Sequence, residues 1–216
     1  MSAPRISGVV YILATNQEAN GKAAASIATP AVTPQTPIYK VIIAGEGGVG
    51  KTSIIERYIH GFSTTPIMTV GSEFSYQELE INSQKVGLSI WDFGGEDRFR
   101  ELMPIFCLGA HGAFLVFDLY RFSTFLQLAF WVEVIRDSAG NVPIVLVGSK
   151  CDLNVGPTEM DIHDFCQRHE IVAYFPVSAR TGENVHGLFA YLAEKMLKST
   201  EEGRLTPAYS IREDKS

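Results

Sequence analysis

A chain of 216 residues is long enough for one domain with a large hydrophobic core, but it is short for two. A net charge of −6 and an isoelectric point near 5.4 exclude the basic face that a nucleic-acid-binding protein needs. Three unevenly spaced cysteines, Cys107, Cys151 and Cys166, fit neither a disulfide framework nor a structural metal site. We therefore expect one domain in a reducing compartment, with no nucleic-acid partner.

Residues 1–37 are expected to be an N-terminal extension and linker. The apolar run at 6–14 is too short to span a bilayer, and no signal-peptide cleavage site follows it. Residues 15–37 are rich in Pro, Ala and Thr, and the prolines interrupt helices and central strands. The strand-forming segment at 8–13 can pair with a sheet edge, dock in a groove, or have no fixed partner.

From residue 38 onward, short apolar runs alternate with amphipathic stretches, which is typical of strand–helix–strand units around a mostly parallel sheet. An Asn82-Ser83-Gln84 turn predicts a hairpin that makes the second strand antiparallel at the sheet edge. The domain should cover 38–199, and 200–216 should be a polar tail. Strands are predicted at 38–44, 72–81, 85–91, 113–118, 143–148 and 171–176. Helices are predicted near 51–60, 97–107, 124–138, 159–169 and 183–198.

A glycine-rich phosphate-binding loop, or P-loop, follows the first predicted strand. Its glycines allow backbone N–H groups and the N-terminus of the next helix to converge on the β- and γ-phosphates of a nucleotide. Lys51 adds a positive charge, and the Thr52 hydroxyl can ligate Mg²⁺. The predicted fold is therefore a P-loop NTPase, a three-layer α/β sandwich with a six-stranded, mostly parallel sheet and about five helices. The predicted phosphate-binding residues are Gly45, Glu46, Gly47, Gly48, Val49, Gly50, Lys51, Thr52 and Ser53.

A second acidic motif lies at the carboxyl end of the third predicted strand. Asp92 follows the run Leu88-Ser89-Ile90-Trp91, where an acid can hold Mg²⁺ through its water shell, opposite Thr52. Gly95 would offer its backbone N–H to the γ-phosphate, in a contact that is lost after hydrolysis.

Four motifs resemble, in order, those of Ras-superfamily small GTPases, and within them those of the Rab branch. They are residues 45–52, 91–100, 148–152 and 178–180, and the similarity covers about 38–199. The resemblance implies a GTP/GDP molecular switch that uses Mg²⁺ and hydrolyses GTP slowly, in trafficking or signalling. It also implies effector, exchange and GTPase-activating partners that bind switch regions at about 63–74 and 93–106.

By this resemblance, Ser149, Lys150 and Asp152 read the guanine base. The Asp152 carboxylate can accept hydrogen bonds from the guanine N1–H and the exocyclic amine, and adenine offers neither donor in that arrangement. Lys150 would lay its aliphatic stem over the base. Ser149 replaces the usual asparagine, and its shorter side chain is expected to lower nucleotide affinity rather than change the choice of base.

Three further positions complete the implied site. In the loop Ser178-Ala179-Arg180, the Ala179 N–H would read the guanine O6. Phe62 matches the aromatic residue that packs on the base edge, although a buried core phenylalanine is an equal interpretation. Thr69 matches the threonine of the first switch, whose hydroxyl completes the Mg²⁺ shell.

Glu96 stands where most members have the glutamine that orients the attacking water. Its carboxylate can hold water but adds negative charge near the γ-phosphate, worth roughly 2–3 kcal/mol at ~6 Å and an effective dielectric of ~20. We expect hydrolysis that persists but relies less on a glutamine-type mechanism, with Glu96, Lys51 and Gly95 as the catalytic set. Gly94, in place of the usual alanine, resembles Arf members.

A non-hydrolysing, nucleotide-bound scaffold remains open as an alternative, with Ser149 and Glu96 as marks of lost turnover. A nucleoside or adenylate kinase would need an arginine-rich lid, and the sequence has no such segment. Ser2 and a C-terminal tail without cysteine predict no direct lipid anchor. We expect a cytoplasmic protein that contacts membranes only through partners or its N-terminal segment.

Overall fold

The computed structural model describes residues 35–61, 71–94, 102–153 and 156–212, and the fold is given for these ranges. Seven strands lie in them. They are β1 Gln35–Ala44, β2 Ser72–Ile81, β3 Gln84–Phe93, β4 Gly112–Asp118, β5 Ile144–Ser149, β6 Ala173–Val177 and β7 Tyr209–Arg212.

The same ranges contain six α-helices and one short 3₁₀ helix, Cys151–Leu153. The α-helices are α1 Lys51–His60, α2 Met103–Cys107, α3 Phe122–Leu126, α4 Leu128–Ala139, α5 Glu159–Arg168 and α6 Val185–Glu201. None of them is long and apolar enough to cross a membrane bilayer.

The strands form one sheet in the order β2-β3-β1-β4-β5-β6, with β7 paired to β1. Neighbouring strands from β3 to β6 are parallel, and only β2 runs antiparallel along this path. The β2–β3 hairpin turns at Asn82 and Ser83, which both have positive φ angles, 50° and 65°. The predicted six-stranded, mostly parallel sheet with about five helices is confirmed.

The core lies in two layers, one on each face of the sheet. Alternate residues of β1 point to opposite layers, because successive side chains of a strand face opposite sides. Val41 and Ile43 pack with α1 and α6, whereas Ile42 and Ala44 pack with α2, α3, α4 and α5. The apolar strands β1, β4 and β5 are therefore covered on both faces, as parallel strands usually are.

The predicted polar tail at 200–216 contains β7, which pairs antiparallel with the start of β1. That start, at Gln35, lies three positions before the predicted strand and includes Pro37. Pairing of β1 with β3 begins only at Ile38, so Pro37 lies where β1 has β7 as its one described neighbour. A strand tolerates proline at such an edge position.

Several predicted element boundaries differ from the structure. The helix predicted at 124–138 is two helices, α3 and α4, separated at Gln127. The strand predicted at 171–176 begins at 173, because Glu170 adopts a left-handed φ of 53° and the Ile171 amide bonds to the Cys166 carbonyl at 2.9 Å. Residues 97–101 of the helix predicted at 97–107 lie outside the described residues, and within 102–107 the helix α2 begins at Met103.

His111 ties the segment before β7 to the central sheet. Its Nδ1 accepts a hydrogen bond from the Lys40 backbone N–H at 3.0 Å, so the neutral ring carries its proton on Nε2. Nε2 then donates to the Thr206 carbonyl oxygen at 2.8 Å. Burial lowers the pKa of His111, the charge of Lys40 acts in the same direction, and the hydrogen bond to the Thr206 carbonyl acts in the opposite direction. The fold therefore requires the neutral imidazole.

We expect acid to weaken this contact. Because the pKa of His111 is lower in the folded protein, the unfolded chain binds the proton first, and stability falls as the pH drops below about 6.5. Thermal unfolding between about pH 7.5 and pH 5.5 should show a smaller loss of Tm for His111→Gln than for the wild type. The exposed His163 supplies the control, His163→Gln. An equal loss of Tm in wild type and His111→Gln would contradict the assignment.

Candidate nucleotide-binding site

All the predicted binding loops within the described residues lie at one edge of the sheet. The carboxyl ends of parallel strands meet there, and ligands of open α/β sheets bind outside that edge. The P-loop follows β1, Asp92 lies near the end of β3, Ser149 ends β5, and residues 150–152 follow it. Residues 178–180 follow β6. Phe62, Thr69, Gly95 and Glu96 lie outside the described residues.

The P-loop needs glycine at two positions for different reasons. Gly45 has a φ of 141°, and a Cβ added there would lie 2.1 Å from the Val116 carbonyl oxygen. Gly50 precedes α1 in a left-handed conformation, with a φ of 98°. Because a side chain at Gly45 would strike backbone rather than a movable side chain, the path of the loop excludes every other residue there.

The carbonyl oxygens of the loop each accept a hydrogen bond. Because N–H and C=O point in opposite directions within a peptide unit, satisfying the oxygens within the protein leaves the N–H groups to face a ligand. The contacts are Lys51 Nζ to Gly45 O (2.8 Å) and Glu46 O (2.9 Å), Arg121 Nη2 to Gly47 O (3.0 Å), Lys150 Nζ to Gly48 O (3.4 Å), Ser149 Oγ to Val49 O (2.5 Å) and the Ile54 amide to Gly50 O (3.0 Å).

Lys51 is the buried cation of the loop, with 6% of its surface exposed. Burial lowers the pKa of Lys51 to about 8. The charges of Asp92 and Glu46 act in the opposite direction and raise it. Two of the three ammonium donors are held by the Gly45 and Glu46 carbonyls. The arrangement therefore fixes the ammonium inside the loop with one donor left for a phosphate oxygen.

Thr52 and Asp92 meet beside the loop. The Thr52 hydroxyl donates a hydrogen bond to Asp92 Oδ2, and Asp92 is only 3% exposed. A hydroxyl and a carboxylate are hard oxygen donors of the kind that Mg²⁺ prefers. The donor set therefore fits the predicted Mg²⁺ site, although a cluster of three or more His, Cys, Asp or Glu side chains that could hold a metal is absent from the described residues.

Ser149 lies beneath the P-loop and is almost fully buried. Its Oγ is 2.5 Å from the Val49 carbonyl oxygen and 2.9 Å from the Phe117 carbonyl oxygen. A hydroxyl has one proton to donate, and both neighbours are acceptors. Ser149 therefore contacts the P-loop, but its proton is used within the protein and not at a base.

Asp152 is held in place by two residues of the loop after β6. The Ser178 hydroxyl donates to Oδ1 at 2.6 Å, and Arg180 Nε donates to Oδ2 at 3.0 Å. The hydrogen bond from Ser178 and the charge of Arg180 lower the pKa of Asp152, so the carboxylate is ionised at neutral pH. Each oxygen keeps a lone pair for a further donor. The structure thus brings together Asp152, Ser178 and Arg180, three of the residues that the sequence assigns to guanine recognition.

Asp118 is a central residue of the site that the sequence analysis missed. It ends β4 with no exposed surface, and its Oδ2 accepts from Lys150 Nζ at 2.6 Å and from Arg121 Nε at 2.9 Å. Its Oδ1 accepts from the Tyr120 amide at 3.0 Å. Burial raises the pKa of Asp118, but these bonds outweigh it and leave the pKa below its usual value. An acid at the carboxyl end of a buried strand was the available signal, as at Asp92.

A second missed contact positions the Glu46 side chain. Trp131 of α4 is 2% exposed and donates from Nε1 to Glu46 Oε1 at 3.0 Å. The bond satisfies the indole N–H, which a buried tryptophan requires, and joins the P-loop to α4. No local pattern in the sequence indicates this pairing, because the partners are 85 positions apart.

Comparison with known proteins agrees with this geometry. A sequence model of the Ras family matches residues 40–198. The chain is 36% identical over 181 residues to human Ras-related protein Rab-32, covering 79% of this chain and 80% of that protein. It is 33% identical over 177 residues to Ras-related protein Rab-32C of Dictyostelium discoideum, covering 80% and 79%. With human Ras-related protein Rab-19 it shares 31% identity over 165 residues, covering 74% and 76%.

The chain belongs to the Ras family and is a Rab-like small GTPase. The resemblance inferred from the four sequence motifs is confirmed, and so is the GTPase class. Ras and Rab GTPases in general bind GTP or GDP together with Mg²⁺. The roles of individual residues stay predictions.

The lowered pKa of Lys51 predicts a pH dependence of nucleotide binding. A bound phosphate favours the ammonium form, so above about pH 8 binding must take up a proton, and affinity should fall by up to about tenfold per pH unit. Calorimetry of GDP binding in buffers of different ionisation enthalpy measures this uptake directly. Lys51→Arg keeps its charge across the range, so it should bind GDP without proton uptake. Equal uptake by both proteins would contradict the prediction.

Proposed function

We propose that this protein is a GTP/GDP switch of membrane trafficking, with a slow intrinsic rate of GTP hydrolysis. Membership of the Rab branch supports the trafficking role. The observation that carries the proposal is the convergence of a P-loop, an oriented Asp152 and a Thr52–Asp92 pair at one sheet edge. Each of these serves a different part of GTP·Mg²⁺.

At the phosphate end, Lys51 and the N–H groups of residues 45–53 would bind the β- and γ-phosphates and stabilise transition-state charge. Thr52, Asp92 and Thr69 would hold Mg²⁺, with Asp92 acting through water. When bound, the ion would neutralise charge on the phosphate oxygens. The Gly95 N–H would contact the γ-phosphate, so the second switch would order only with GTP.

At the base end, Asp152 would accept hydrogen bonds from the guanine N1–H and amine. Its orientation by Ser178 and Arg180 supports this role, because a carboxylate fixed in advance loses less freedom on binding. Lys150, Ala179 and Phe62 would complete the base pocket. Ser149 would instead support the P-loop, because its hydroxyl proton is donated to backbone carbonyl oxygens.

Asp152→Asn tests base recognition. The amide replaces one acceptor with a donor and removes the charge, so GDP affinity should fall by about 100-fold or more. Xanthine carries a carbonyl where guanine has its amine, so the variant should bind XDP better than wild type does. Competition binding against fluorescent GDP measures both ligands, and Asp164→Asn on the exposed face of α5 is the control. Unchanged GDP affinity would rule out the assignment.

Hydrolysis by this chain would depend on Glu96 in an unusual way. An ionised carboxylate next to the γ-phosphate opposes the transfer, while Lys51 and Mg²⁺ reduce that repulsion. Glu96 can also hold the attacking water. We infer that repulsion outweighs water positioning, and that Glu96 is one cause of the slow rate.

Glu96→Gln should therefore hydrolyse GTP faster than wild type, by up to about tenfold. Single-turnover phosphate release from GTP-loaded protein measures the rate apart from nucleotide exchange. Glu96→Ala removes both the charge and the water contact, and should not exceed Glu96→Gln. If Glu96→Gln is slower than wild type, the carboxylate assists the reaction.

The alternative is a nucleotide-bound scaffold that does not turn over. It is favoured by Ser149, whose hydroxyl serves the P-loop, and by Glu96 in place of glutamine. The same phosphate-release experiment separates the two functions. Bound GTP that stays uncleaved over hours, with partner binding retained, would establish the scaffold.

Partner proteins would bind the surface beside the two switch regions. Phe74 is 55% exposed and packs edge-to-face on Trp91, with ring centroids 4.4 Å apart. Ile105 on α2 is 64% exposed. Apolar groups of this kind support the binding of effectors, exchange factors and GTPase-activating proteins there. Contact with a membrane would come through such partners or through the N-terminal segment.

A further inference from the structure

Arg121 is a cation next to the P-loop that the proposed function leaves without a role. Its Nη2 donates to the Gly47 carbonyl oxygen at 3.0 Å, and its Nε donates to Asp118 Oδ2 at 2.9 Å. One guanidinium thus joins the loop after β1 to the end of β4. The two contacts use different nitrogens of the same planar group, so they fix both its position and its orientation.

The backbone that carries Arg121 is itself fixed. The Arg121 amide bonds to the Asp118 carbonyl at 2.9 Å. The buried Thr124 hydroxyl accepts from the Asp118 amide at 2.9 Å and donates to the Arg121 carbonyl at 2.7 Å. Arg121 therefore projects from a turn that these hydrogen bonds close. The turn holds its backbone, and Asp118 and Gly47 hold its guanidinium.

The Asp118 carboxylate that anchors Arg121 also anchors Lys150, at 2.6 Å. Lys150 approaches the Gly48 carbonyl oxygen at 3.4 Å, one residue from the carbonyl that Arg121 holds. Asp118 is buried, whereas the side chains of Arg121 and Lys150 are 43% and 40% exposed, so water screens both ion pairs from the side of the cation only. The phosphate end and the guanine end of the site thus share one carboxylate.

We propose that Arg121 is a positioning residue for phosphate binding, which holds the Gly47–Gly48 segment of the P-loop and connects it through Asp118 to Lys150. This inference rests on the proposed nucleotide site. Its consequence is slow release of nucleotides that carry a β-phosphate, because the loop that binds that group is held in its binding conformation.

Arginine suits this contact because it reaches the two acceptors through separate nitrogens of one planar group. A lysine ammonium can also meet a carboxylate and a carbonyl, as Lys150 does, but only from a single nitrogen atom. A Cβ added at Gly48 would lie 3.6 Å from Arg121 Nη2, so the guanidinium lies alongside this part of the loop. Its charge also opposes protonation of Lys51, whose pKa it lowers, so the two cations act on the same region.

The test compares Arg121→Ala and Arg121→Lys with wild type in the full chain. Arg121→Ala should release fluorescent GDP about tenfold faster, because a hydrogen bond to a charged group holds the loop. Arg121→Lys should fall between the two. Arg168→Ala, on the exposed face of α5, is a matched control and should release GDP at the wild-type rate.

A positioning role and a purely structural role give different results with GMP, which lacks the β-phosphate. If Arg121 positions the loop, Arg121→Ala should weaken binding of GDP more than binding of GMP. A general loss of fold would weaken both equally. Equal losses, full rescue by Arg121→Lys, or a wild-type GDP release rate in Arg121→Ala would each overturn the inference. Failure of wild type to bind GDP would overturn the proposed function as well, so the two failures are distinguishable.

Discussion

A loop that binds phosphate through its backbone must present N–H groups to the ligand, and its carbonyl oxygens must then be satisfied elsewhere. In this protein the carbonyls of residues 45–50 accept hydrogen bonds from four side chains and one helix amide. The donors come from α1, from the turn after β4 and from the end of β5. The active shape of the loop therefore depends on several elements folding together, and not on its glycines alone.

Much of the site follows from local sequence. The order of strand, glycine-rich turn and helix identifies residues 45–53, because backbone N–H groups can converge in few other ways. The role of Asp92 is predicted from its position at the carboxyl end of a buried strand, whereas the role of Asp152 comes from the family resemblance of residues 148–152. The mostly parallel sheet and the β2–β3 hairpin follow from apolar periodicity and from the Asn82-Ser83 turn in the same manner.

The remainder depends on contacts between distant residues. Arg121 is 74 positions from Gly47, and Trp131 is 85 from Glu46, so no window of sequence contains either pair. The sequence predicts a polar tail where β7 lies, because the pairing of β7 with β1 exists only once the sheet has formed. The break at Gln127 lies within a continuous amphipathic pattern, which predicts one helix where the structure has two.

Ser149 and Arg121 are best understood together. By the family resemblance, an asparagine usually stands at 149 and reaches both the base and the P-loop. The serine hydroxyl reaches Val49 but has no second donor for the base. Arg121, Asp118 and Lys150 provide another connection between the two ends of the site, through the buried Asp118 carboxylate. Since a buried carboxylate with two cationic partners is costly to disturb, this connection can hold the P-loop in place of the missing amide. On this proposal, the phosphate site would stay rigid although Ser149 has no donor to offer the base.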